Sequence, residues 1–197
     1  ILGDTLAKIA AEKAGIIKNN IPTIIGETTD ETRPVFEQTA EDRHAPIVFA
    51  EENPMIVDIK ICNNGGFDYT AISPLAVDQN RVLVKDNPYI PQTVHSPELI
   101  SFHGELGGYC QPHNTETILH TVTLLFKMGY YIVEKNLKEG FAHVTSLTHL
   151  HGRWEHVNIK GSPCPIYCDA GHNPGSMQYI AQQLKSQKCD KLHIIIG

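Results

Sequence analysis

The sequence predicts an α/β protein with a parallel sheet, a small antiparallel meander and a second α/β unit towards its C-terminal end. Three observations predict it. Up to Ala50, apolar runs of strand length alternate with segments of helical period. From Asn53 to about Gly104 the pattern changes to short strands around turn residues. Near His149 a strand, an amphipathic helix and another apolar run begin the alternation afresh, which places a domain boundary there and divides the chain into residues 1–148 and 149–197.

Asp4 or Thr5 suits a helix N-cap and Gly15 a stop, so a helix is expected to about Ala14 with Leu6, Ile9 and Ala10 inward. The turn Lys18-Asn19-Asn20 leads into Ile21–Gly26, expected as a buried strand. A helix from about Asp30 to Ala40 and a strand over Pro46–Ala50 follow. In the meander, strands are expected over Met55–Cys62, Asp68–Ile72 and Arg81–Val84, with Asn63-Asn64-Gly65-Gly66 as a turn. Pro88, Pro91 and Pro97 mark an irregular connection. A helix beginning at Pro112 or Asn114 and running to about Lys127 has the apolar face Ile118, Leu119, Val122, Leu125 and Phe126. Another covers about Tyr130 to Gly140, and Phe141–His151 reads as a polar connection.

The last unit combines a strand, Pro165–Cys168, a helix over Ser176–Ser186 with Met177, Ile180, Ala181 and Leu184 on one face, and an expected strand, Leu192–Ile196. In β-α-β order, ligands collect at the carboxyl ends of the strands, where the next helix offers free N–H groups. Asp169 and His172 fall at that edge. A carboxylate there can hold a ribose hydroxyl or a metal-bound water, and an imidazole can face a phosphate. Asp, Gly, Asn and Pro are also common turn residues, and the residues alone leave both readings open.

Composition excludes several classes. Of the 197 residues, 41% are hydrophobic, enough for a core, and the net charge of −6 comes without any cluster of Lys and Arg among aromatics. No nucleic-acid partner is therefore expected. No apolar run approaches the length of a membrane span and no signal-peptide pattern opens the sequence, so the expected setting is cytoplasmic with no membrane partner. The five cysteines are odd in number and scattered, which favours reduced thiols. Zinc held by Cys164, Cys168 and His172 is disfavoured, because Pro163 and Pro165 oppose a helix and a strand spreads residues four apart along the chain.

Four stretches, in order, resemble the folylpolyglutamate synthase/dihydrofolate synthase family of the Mur ligase superfamily. Leu2-Gly3-Asp4-Thr5-Leu6, continuing to Glu12-Lys13-Ala14-Gly15-Ile16-Ile17-Lys18, is similar to L-G-x-T…E-K-A-G-I-[IF]-K. Gly108–Asn114 is similar to G-x-[HY]-Q-x-x-N, Gly152–Glu155 to G-R-[FLW]-E, and Asp169–Pro174 to D-x-A-H-N-P. The resemblance implies the later part of a Mur-ligase-type central ATPase domain, followed by the first part of a C-terminal Rossmann-like domain. It also implies an activity: joining the amino group of L-glutamate to a carboxyl of dihydropteroate or a folate, with ATP and Mg2+, through an acyl phosphate.

Carried over by position, Lys13 matches the lysine that this family carbamylates, which turns a cation into a carboxylate able to orient a metal or its water; no other residue is assigned to metal. A solvated lysine at a helix end is its plain alternative. Asn114 matches the adenine-binding asparagine, Arg153 the arginine that reaches the ATP phosphates, and Asp169 the aspartate that binds ATP, through its ribose. His172 matches the catalytic-motif histidine near the phosphates and the incoming substrate. Cys110 departs from the usual His or Tyr, and Gly171 from the usual Ala, a change expected to loosen the turn. Trp154 is expected to pack at the domain junction.

No G-x-x-x-x-G-K-[ST] phosphate loop occurs in these residues. The resemblance places that loop upstream, so the chain is expected to be an internal fragment, inactive alone and dependent on the missing parts of its parent. Two other readings stand beside it: a Mur-type ligase of cell-wall precursors, and a non-catalytic nucleotide- or metal-binding module.

Overall fold

A computed structural model describes residues 4–63, 65–75 and 98–197. The expected strand Arg81–Val84 and the prolines Pro88, Pro91 and Pro97 lie outside the described residues, as do Leu2 and Gly3 of the first motif.

Helix α1, Leu6–Ala14, starts where Thr5 Oγ1 accepts the Lys8 N–H at 3.2 Å, and Lys13 in its last turn suits the negative end of the helix dipole. Its buried residues are Ala10 and Ala14, and Leu6 is 50% exposed, against the expected inward stripe. The reason is the partner. Helix α1 packs on helix α2, Arg33–Asp42, through a cluster of Ala14, Ile17, Ala40 and Ala45, and this small-residue contact leaves Leu6, two turns earlier, outside.

Strands β1, Thr23–Ile25, and β2, Ile47–Phe49, flank α2 and pair in parallel with Thr23 opposite Ile47 and Ile25 opposite Phe49. Strand β1 is half-buried rather than buried, having one neighbouring strand among the described residues. A 3-10 turn, Ala50–Glu52, then leads to three antiparallel strands in the order β3, β4, β5: Ile56–Ile61, Phe67–Ile72 and Leu99–Gly104. The last of these was not anticipated as a strand, although it alternates as one.

The sheet has two unlike faces, because register sets direct partners on the same side. Phe67, Tyr69, Ala71, Ile100 and Phe102 face the core, with ring centroids 5.8 Å apart for Phe67–Tyr69, 5.3 Å for Tyr69–Phe102 and 4.6 Å for Phe102–Phe141. Lys60, Asp68, Thr70, Ser101 and His103 occupy the other.

Helix α3, Gln111–Lys127, lies against both sheets, and its inward residues are Thr115, Leu119, His120 and Thr123. Leu119 is fully buried and Val122 packs on the core, as the apolar period predicts, whereas Ile118 is 44% exposed. Polar groups take part of the buried face because the chain entering β3 has backbone groups that need partners. Glu116 accepts the N–H groups of Met55 and Ile56, and His120 Nε2 donates to the Asn53 carbonyl at 2.9 Å.

Gly129, with φ of +90°, ends this helix, and Tyr130 and Tyr131 are exposed loop residues, so helix α4 is Glu134–Ala142 and starts later than expected. Leu137 and Phe141 bring it onto the core. A short helix α5, Val144–Thr148, occupies the connection read as polar, and His149 closes it in the left-handed region.

Beyond it, β6, Glu155–Val157, pairs antiparallel with β7, Ile166–Cys168, and helix α6 follows at Pro174–Ser186. Residues 176, 179, 180, 183 and 184 are its less exposed side, while Met177 and Ala181, expected inward, are exposed. Leu192–Ile196 is not a strand: it has no pairing partner among the described residues, and Ile195 is 98% exposed. Apolar β-branched composition favours strand but cannot supply the missing ladder. No helix among the described residues is long and apolar enough to cross a membrane.

Leu119→Ala should cost about 2–5 kcal/mol by denaturant unfolding, since the site is closed on every side. His120 should make stability pH-dependent. Burial pushes its pKa down, against the opposing effects of the Asn53 hydrogen bond and the Glu116 charge. The unfolded chain therefore binds the extra proton, so this contribution is intact above the ordinary histidine value of about 6.5 and is lost as pH falls below it. In His120→Gln, the fall in Tm on acidification from pH 7 to pH 5 should be shallower than in the wild type.

Candidate functional site

The loop between β7 and α6 is built by one carboxylate. Asp169 Oδ2 accepts the Trp154 N–H at 2.9 Å and Oδ1 accepts the Gly171 N–H at 2.8 Å. Beside it, the Ala170 N–H donates to the Gly152 carbonyl at 2.8 Å. Gly152 has φ of +74°, which favours glycine, and a Cβ there would lie a close 3.3 Å from that of Ala170. The Gly152–Glu155 turn and the Asp169–Gly171 loop are thus one hydrogen-bonded unit.

Within that unit the side chains divide their tasks. Glu155 accepts the Gly152 N–H and pairs with His151 Nδ1, each at 2.8 Å, and these contacts, in that order, hold its carboxyl below the usual range. The Arg153 guanidinium is left exposed, with no ion pair to Glu155. His172 Nδ1 donates to the Ala170 carbonyl at 2.9 Å, which leaves Nε2 of an exposed ring as the available acceptor. Asn173 and Ser176 form a reciprocal capping box, with Pro174 at the start of α6.

At Gly171 a Cβ would lie 2.4 Å from Ile180 Cδ1 and 3.1 Å from Asp169 Oδ1, both ends of side chains, so an alanine there would require those ends to shift.

The unit is seated on the start of α3. Trp154, buried and with φ of +47°, stacks on Tyr167 with centroids 5.2 Å apart and lies against Gly107, where a Cβ would come within 3.2 Å of the Trp154 Cβ. Helix α6 adds polar fastenings: Gln183 Oε1 accepts the Tyr109 N–H at 2.8 Å, and the Tyr109 hydroxyl donates to Ser186 Oγ at 2.9 Å. Cys110 lies within the field of both Asp169 and Arg153; burial first, and then the Asp169 charge, push its thiol pKa up.

Asn114 is in the first turn of α3 rather than at its N-cap, which is Cys110. Its Nδ2 donates to Gln111 Oε1 at 3.2 Å and its exposed amide keeps a carbonyl oxygen to offer. Lys13 stands apart. Its side chain is exposed and makes no hydrogen bond or ion pair among the described residues. The structure thus brings the second, third and fourth motifs together.

Glu27, not singled out from sequence, belongs to this region. It follows the carboxyl end of β1, accepts the Tyr179 hydroxyl from α6 and lies 3.5 Å from His113 Nδ1 in α3. Burial and then the Glu27 hydrogen bond push the Tyr179 pKa up. Its place just after an expected strand was the available signal.

No protein-family model matches the chain, and no curated protein matches it. Solved structures do. The folylpolyglutamate synthetase from Lactobacillus casei is 20% identical with a TM-score of 0.63, over 95% of this chain and 41% of that one. A folylpolyglutamate synthase complex with AMPPCP and folate is 22% identical with a TM-score of 0.67, over 95% of this chain and 40% of that one. The Mycobacterium tuberculosis folylpolyglutamate synthase, complexed with ADP and AMPPCP, is 22% identical with a TM-score of 0.64, over 94% of this chain and 36% of that one. The chain has the α/β fold of these proteins and spans about two fifths of their length.

Asp169→Ala should strand the Trp154 and Gly171 amides and cost about 1–3 kcal/mol. Trp154 is the single tryptophan, so its fluorescence should become more accessible to a soluble quencher in the variant than in the wild type.

Proposed function

We propose that this chain belongs to the folylpolyglutamate synthase/dihydrofolate synthase family and is part of an ATP-dependent ligase that adds L-glutamate to dihydropteroate or a folate. The observation that carries the reading is the convergence of three motifs from separate parts of the chain. Asp169 binds the turn carrying Arg153, and the joined unit sits on the helix start carrying Asn114. The likeness to solved folylpolyglutamate synthases, some holding AMPPCP, ADP or folate, supports the same reading.

The groups present suit a nucleotide. Arg153 offers an exposed planar cation, unpaired among the described residues, for phosphate oxygens, and Asn114 offers an exposed amide for an adenine edge. Asp169 spends one lone pair of each oxygen on backbone N–H groups and retains others for a ribose hydroxyl. His172 Nε2 faces outward as an acceptor towards phosphates or the incoming amine. ATP with Mg2+, when bound, supplies the phosphoryl group that activates the substrate carboxyl; the chain's residues position and neutralise charge. Lys13, as neutral amine, would add CO2 with loss of a proton to form a carbamate, whose carboxylate would orient a metal or its water.

The same reading places residues 1–148 in a central ATPase domain and 149–197 in a C-terminal domain, in a cytoplasmic enzyme. This segment alone is inactive, since nothing in it supplies a phosphate loop.

The test is glutamate addition by the full-length parent, with dihydropteroate, folate and UDP-sugar peptides compared as acceptors. ATP-dependent addition to a pterin acceptor is expected, with Arg153→Ala lowering kcat/KM about 100-fold or more. Addition only to UDP-sugar peptides, or folate- and glutamate-dependent ATP turnover by residues 1–197 alone, contradicts the corresponding part of the proposal.

A further inference from the structure

We propose that Cys62, Asp68 and His103 form a binding site for a thiophilic divalent cation, best suited to zinc, on the outer face of the three-stranded sheet. None of the three residues belongs to the nucleotide-binding motifs, and the site does not rest on the ligase reading.

Register assembles it. Lys60 lies opposite Asp68, and Asp68 opposite His103, so the three share one row across β3, β4 and β5. Cys62, two residues beyond Lys60, returns to the same face. Its backbone is held there, because its N–H donates to the Gly66 carbonyl at 2.9 Å. Gly66 also makes room for the imidazole: a Cβ there would lie 3.3 Å from His103 Cε1 and 2.5 Å from the Gly104 carbonyl oxygen.

The donor atoms converge on one point. Asp68 Oδ1 is 2.8 Å and Cys62 Sγ is 3.9 Å from His103 Nδ1, and one donor atom from each residue lies within 4.8 Å of the others. Tetrahedral zinc, with bonds of about 2.3 Å to sulfur and about 2.0–2.1 Å to nitrogen or oxygen, needs donors roughly 3.3–3.6 Å apart. The observed separations bracket that range, and small side-chain rotations reach it.

A His–Asp hydrogen bond accounts for two of these groups; the Cys62 thiol lies 4.0 Å from the Lys60 carbonyl oxygen and 3.9 Å from the same imidazole nitrogen, free to turn to either. Sulfur, imidazole and carboxylate together are a borderline-soft set, which suits zinc and opposes Mg2+ or Ca2+. On binding, the thiol proton leaves to solvent and the neutral imidazole ligates through Nδ1 with its proton on Nε2, so that the thiolate and carboxylate balance the two charges of the ion. Lys60 shares the face and opposes the cation, but its side chain is exposed and free to turn away. Three protein ligands leave the fourth position to water, on a side where Asp68 and His103 are partly exposed.

The test uses the full-length parent, stripped of metal with a chelator and titrated with Co2+ as an optical probe. One equivalent should give thiolate-to-cobalt charge-transfer absorption that Zn2+ then displaces. Cys62→Ser should abolish the band, and Asp68→Asn should weaken Co2+ binding at least tenfold, while replacing Cys164, Cys168 and Cys189 together leaves both unchanged. An alkylation assay on the wild type requires no variant to fold: Zn2+ should slow iodoacetamide modification of Cys62 and leave Cys189 unaffected. Absence of the band, its persistence in Cys62→Ser, its loss only with the other cysteines, or equal Cys62 alkylation with and without Zn2+ overturns the proposal.

Discussion

Two side chains one turn apart on α3, Glu116 and His120, hold the place where the chain leaves the parallel pair and enters the meander. They satisfy the Met55 and Ile56 N–H groups and the Asn53 carbonyl, backbone groups that would otherwise be costly to bury. Through them α3 is fixed to the start of β3, and its opposite faces reach β1 and the core of the sheet. The start of the same helix carries Asn114 and receives the C-terminal unit. A helix pinned in this way transmits the position of the first sheet to the motif residues with little slack.

The joint between the two parts of the chain is made differently from the cores. Within the first part, apolar contacts dominate: Leu119, Phe102 and Phe141 have no polar task there. Towards the C-terminal unit, one indole is buried and the fastenings are polar: Tyr109 bonds to Gln183 and Ser186, and Tyr179 to Glu27. The candidate nucleotide-binding side chains sit beside this polar seam, and three of them, Arg153, Asn114 and His172, keep exposed groups. Structural carboxylates and exposed ligating groups are adjacent but distinct, as Glu155 and Arg153 illustrate.

Much of this was legible in the residues. Caps and stops located α1, and the helical period over Ile118–Phe126 located α3, because local chemistry decides where such elements begin and end. Asp169 and His172 were candidates from their place after a strand and Arg153 from the resemblance, and the structure joins the turn of Arg153 to the loop of Asp169. What failed shares a cause. Leu6, Ile118 and Met177 are apolar at helical spacing, yet neighbours that sequence does not show decide which face turns inward. Leu192–Ile196 has the composition of a strand and no ladder to join. Glu27, Gln183 and the Cys62–Asp68–His103 group needed register and tertiary approach, which no single window of residues contains.

The polar character of the seam around Trp154 has a thermodynamic consequence. When an apolar joint separates, every square ångström of it meets water at full cost. A joint fastened by Tyr109, Gln183 and Tyr179 exchanges each bond for one to solvent, at a net cost of only about 0.5–1.5 kcal/mol apiece. The contacts beside Trp154 are therefore of a kind that exchange with water one bond at a time, and each has a direction that greasy area lacks.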